Sequence, residues 1–151
     1  MANESRVLIV EDNDVLRVML FTILRHQPLA VDTATTAADA IEKTMTCDYA
    51  LVLLDADLPD GESAEFLRRF DAEHPDAPTF IVVVRSAESE PVVHPRVGAV
   101  LNKPLEIDTM AELVRECAAV VPPPEEPQVQ CPPAESEIRA RMDRSGSFYT
   151  N

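Results

Sequence analysis

Apolar residues follow two rhythms over the first 121 residues of the chain. In one, four or more stand in a row without a polar break. Arg6–Val10, Tyr49–Leu54 and Thr79–Val84 have this form, which marks strands buried on both faces. Leu29–Thr33 and Val97–Leu101 are shorter, weaker runs of the same kind. In the other rhythm, apolar positions recur three and four residues apart, as on one face of a helix. From Asp14 to His26 the series is Val15, Leu16, Val18, Met19, Ile23 and Leu24, with Asn13 or Asp14 placed to cap it. Thr36–Met45 turns Ala37, Ala40 and Ile41 inward, and Ser63–Glu73 does so with Phe66, Leu67 and Phe70. Ile107–Val120 is the last helix of the series.

Strands that are apolar on both faces and alternate with helices need a parallel sheet covered on both sides. Five of them at this spacing predict an α/β fold: a five-stranded, parallel, doubly wound sheet in the flavodoxin-like order. The fourth crossover breaks the rhythm. Between Thr79–Val84 and Val97–Leu101 the chain is short and carries Pro91 and Pro95. A proline in a helix interior costs about 3 kcal/mol, so the helix expected there is predicted short or absent. Residues 1–121 read as one domain. Residues 122–151 open with Pro-Pro-Pro-Glu-Glu-Pro and hold six of the 13 prolines, which predicts a flexible, disordered tail. Within it, Ser136 to Arg144 allows a short helix that is marginal on its own.

Charge narrows the function. The net charge is −14, with 22 acidic and 10 basic residues in 1–121. Phosphate contacts need Lys and Arg, so nucleic acid is not an expected partner. No apolar run approaches the roughly 20 residues of a membrane span, and the first residues lack signal-peptide character; a soluble, cytoplasmic protein is expected. Cys47, Cys117 and Cys131 are odd in number and widely spaced, and read as reduced thiols.

In a doubly wound sheet, ligands sit beyond the carboxyl ends of the strands. The polar residues at those points are Glu11 and Asp12 after the first strand, Asp55 after the third, Ser86 after the fourth and Lys103 after the fifth. Those four strands are neighbours in this order, so the groups converge. Three carboxylates in one crevice repel each other, and a hard divalent cation such as Mg2+ resolves the conflict. A lysine and a hydroxyl opposite them suit a phosphoryl group. A carboxylate beside a metal can be a nucleophile toward phosphorus. A one-residue slip would put Arg85 in the place of Ser86. Asp57 and Asp60 read as solvent-facing turn residues.

These residues resemble the receiver domains of two-component response regulators over residues 5 to about 120. The resemblance rests on Glu11-Asp12, on Asp55 with Pro59 four residues on, on Ser86-Ala87 and on Lys103-Pro104. It implies that Asp55 is the phosphoacceptor, fed by a histidine kinase or histidine phosphotransfer protein. It implies Mg2+ held by Asp12 and Asp55, by Glu11 through water and by the Asp57 backbone carbonyl. Lys103 and Ser86 would contact the phosphoryl oxygens, and Lys103-Pro104 would be a cis peptide. Two departures touch the family's usual output face: the reduced fourth helix, and Val100 or Leu101 where an aromatic is common. The expected function is a stand-alone receiver that signals by protein contact, not an enzyme in the ordinary sense. The alternatives are a receiver-like docking module that no longer uses phosphorylation, and a haloacid-dehalogenase-like phosphatase built on Asp55-Ala56-Asp57.

Overall fold

The computed structural model describes residues 4–124 and 130–146. Its elements run β1 (Ser5–Val10), α1 (Asp14–Leu24), β2 (Leu29–Ala34), α2 (Ala37–Thr46), β3 (Leu51–Asp55), α3 (Glu62–Glu73), β4 (Phe80–Arg85), β5 (Val97–Asn102), α4 (Ile107–Ala119) and α5 (Glu135–Gly146). The five strands form one parallel sheet in the order β2-β1-β3-β4-β5. The sheet therefore reverses direction of growth between β1 and β3, whose carboxyl ends lie side by side.

Successive strand side chains point to opposite faces, which is why the strands are apolar throughout. Leu8, Val10, Val52, Leu54, Ile81 and Val83 pack against α2 and α3 on one face. Val7, Ile9, Leu51, Leu53, Val82 and Val84 pack against α1 and α4 on the other. Asn13 caps α1 by accepting from the Leu16 N–H, and Thr36 caps α2 by accepting from the Asp39 N–H.

The segment between β4 and β5 contains no helix, as its prolines predict. Arg96 anchors it instead. Its guanidinium donates to the carbonyls of His74, Pro75 and Ala77 and to Asp71, and lies 5.2 Å from the Phe70 ring centroid. Val92 folds onto the sheet where a helix would have lain. The cover is partial, and Val100 on the same face stays 47% exposed. The register slips by one between β4 and β5, from Ile81 opposite Val97 to Val82 opposite Ala99, leaving Gly98 as the extra residue. A side chain there would strike the Phe80 ring, whose Cζ lies 2.5 Å from the position of a Cβ.

Part of the tail takes up structure. Residues 135–146 form α5, which packs on the outer edge of β2. The short helix, marginal in isolation, is held against the sheet edge by this contact together with a disulfide. Residues 125–129 and 147–151 of the expected flexible stretch lie outside the described residues. The cysteines are also corrected: Cys47, at the end of α2, is joined to Cys131 by a disulfide, and Cys117 alone is free. The two are 84 residues apart in sequence, and only the return of the tail brings their Cα atoms to 5.0 Å. None of the described helices is long and apolar enough to cross a membrane.

Candidate phosphoacceptor site

The carboxyl ends of β1, β3 and β5, with the first turns of α1, line a cleft of about 520 Å³. Three carboxylates meet there. Glu11 and Asp55 are buried, Asp12 is exposed, and one oxygen from each lies within 4.8 Å of the others. Burial and the neighbouring Asp55 push Glu11 up from the ordinary 4.5 to about 8, against the lowering effect of the Asn13 N–H and Lys103. A set of hard oxygen donors crowded to this degree fits a small divalent cation such as Mg2+, which removes the repulsion.

Asp55 ends β3 and is held in place on both sides. Its carbonyl accepts from the Ser63 hydroxyl at 2.6 Å, and its carboxylate accepts from the Asp57 N–H at 2.9 Å and from Lys103 Nζ at 3.1 Å. The chain then turns through Asp60 and Gly61, both with left-handed φ, which suits an Asp-Gly pair. Lys103 leaves β5 and is followed by a cis peptide to Pro104, as the resemblance implies. Burial alone would lower the Lys103 pKa; the hydrogen bonds with Asp55 and Asp57, and the nearby Glu11, outweigh it and keep the ammonium charged.

Ser86 directly follows β4, and Arg85 turns away to donate to the Ser89 carbonyl, so the strand register gives the position to serine. The Ser86 hydroxyl faces Asp57 rather than Asp55, at 3.3 Å. Asp57 is an exposed turn residue, as expected, yet it is not without partners. Its carboxylate gathers the Ser86 N–H and hydroxyl, the Ser89 hydroxyl and Lys103 Nζ. Burial tends to raise it, but the bonds from Ser89, Lys103 and Ser86 prevail and hold it below the usual carboxylate range. Sequence reasoning missed Ser89; its spacing of three from Ser86 just past a strand end is the signal that could have found it. Glu106 and Asp108 do not join the cluster. Glu106 caps α4, accepting from the Asp108 and Thr109 N–H groups, so the late acidic pair that a haloacid-dehalogenase-like reading needs is absent among the described residues.

The doubly wound sheet and the residues gathered at its carboxyl ends are those of a receiver domain. The response regulator receiver domain profile matches residues 7–115, and the chain belongs to that family. It is 33% identical over 112 residues to the transcriptional regulatory protein PmrA of Pectobacterium parmentieri, covering 73% of this chain and 50% of that protein. It thus spans about half the length of that relative. Among solved structures it resembles a CheY-like receiver domain protein from Methanospirillum hungatei (TM-score 0.68, 18% identity, 78% of this chain and 98% of that one). It also resembles response regulator protein TrrA of Thermotoga maritima in complex with Mg(2+)-BeF (TM-score 0.60, 22% identity, 75% and 98%).

Proposed function

We propose that this protein accepts a phosphoryl group on Asp55 from the phosphohistidine of a histidine kinase or histidine phosphotransfer protein, in the cytoplasm, and passes the signal on by protein contact. The observation that carries the reading is the meeting of three carboxylates with Lys103 Nζ, 3.1 Å from the Asp55 carboxylate. Glu11, Asp12 and Asp55, with the Asp57 backbone carbonyl, would hold Mg2+. When bound, the ion supplies positive charge to the phosphoryl oxygens.

The chain's own groups do the rest by position and charge. An Asp55 oxygen attacks phosphorus, the phosphorus–nitrogen bond breaks, and the donor imidazole leaves. Lys103 and the Ser86 hydroxyl, now turned to Asp57, transfer their hydrogen bonds to phosphoryl oxygens. A protein donor is favoured by the wall of the cleft. Val15 and Met19 on the adjoining α1 are 80% and 39% exposed, an apolar surface next to the acceptor that another protein can cover.

Incubation with acetyl phosphate and Mg2+, followed by intact-mass measurement, tests the reading. Wild type gains one phosphoryl group and Asp55→Asn gains none. An equal gain on both, or none on wild type, overturns it.

A further inference from the structure

The tail meets the domain at a polar seam, and the seam is closed by one covalent bond. β2 is an edge strand, so alternate N–H groups face away from the sheet. The tail takes two of them. Val31 N–H donates to the Ser136 hydroxyl at 2.8 Å, and Thr33 N–H donates to Glu135 at 3.2 Å. The buried Asp32 between them completes the joint. Its carboxylate accepts from Arg6, from the Tyr49 hydroxyl and from the Glu135 N–H at the start of α5.

These contacts alone hold the tail weakly. The large apolar side chains of α5 point outward, Ile138 being 45% and Met142 63% exposed. Its ion pairs, Lys43–Glu135 and Arg25–Asp143, are partly solvated and contribute little. A helix of 12 residues is marginal without packing. The Cys47–Cys131 disulfide is therefore the principal attachment.

We propose that Cys131 is a site of thiol–disulfide exchange with a dithiol reductant, and that the exchange unlatches α5 from the edge of β2. The sulfurs differ in access: Cys47 is 3% exposed within the core, while Cys131 is half-buried at the surface, with Arg6 Nη1 2.9 Å from its sulfur. A reductant thiolate attacks the Cys131 sulfur, the Cys47–Cys131 bond breaks, and Cys47 leaves with the electron pair and takes a proton. The second thiol of the reductant then attacks the mixed disulfide and expels Cys131 as a thiolate beside the Arg6 guanidinium. The reductant ends as a disulfide, having given two electrons. Release bares the Val31 and Thr33 N–H groups on the sheet edge. In reducing compartments, disulfides of this kind serve transient, redox-sensing roles. Nothing in the latch requires phosphoryl transfer at Asp55.

The test uses the full chain, oxidised and then treated with dithiothreitol, with amide hydrogen exchange resolved by residue. Reduction is expected to speed exchange at Val31, Thr33 and residues 137–144 by about tenfold or more, with β3 and β4 unchanged. Cys131→Ser should match the reduced protein without any reductant, and Cys117→Ser should match oxidised wild type. Three free thiols in the air-oxidised folded protein would overturn the proposal. Equal protection at Val31 and Thr33 before and after reduction would also overturn it. So would loss of protection in β3 together with the edge, because the bond would then staple the whole fold rather than latch the tail.

Discussion

Glu11 shows how one side chain can carry both fold and site. It is 2% exposed, beside Asp55, and its pKa rises from the ordinary 4.5 to about 8. A carboxyl shifted upward binds its proton more tightly folded than unfolded. It therefore adds stability that is complete below pH 4.5 and is lost as pH rises through about 8. In EDTA, the thermal midpoint of wild type should fall over that range, and Glu11→Gln should flatten the slope. Differential scanning calorimetry at several pH values reads both. The position of Glu11 was legible from its place after an apolar run. The turn of Asp57 toward Ser86, Ser89 and Lys103 was not, because a carboxylate in a turn is solvated unless donors from another strand reach it.

At the scale of elements, β5 and its approach compensate for the lost crossover helix. Prolines forbid the helix, and Arg96 ties the shortened segment to the end of α3. Gly98 then admits the Phe80 ring against the strand backbone. Gly98→Ala should cost about 1–3 kcal/mol by overpacking, read as a lower urea midpoint. In a Phe80→Ala background the same change should cost much less, since the ring that it strikes is gone. The strands and helices themselves were readable to within a residue or two, because burial on both faces and helical spacing leave distinct marks. Gly98 as a bulge was not readable, since the slip depends on a partner strand.

For the whole molecule, a ligand that binds the folded state alone stabilises it by mass action. Mg2+ at one hundred times its dissociation constant should add about 2.7 kcal/mol to wild type. Asp55→Asn should gain markedly less, and an equal rise in thermal midpoint for both would place the ion elsewhere. Hydrophobic period, proline placement and the polar residues at strand ends were enough to determine the doubly wound sheet, the missing crossover helix and the meeting of Glu11, Asp12, Asp55 and Lys103 at the cleft. Each of these is a local consequence of side-chain chemistry along a stretch of chain. The fate of the tail was decided only in three dimensions. Asp32 stands as the one charged residue of β2, and its reason is α5 and Arg6, which reach it from other parts of the chain. Cys47 and Cys131 read as unrelated thiols for the same cause: loop closure over 84 residues leaves no periodic trace, and only packing at the sheet edge brings the sulfurs together.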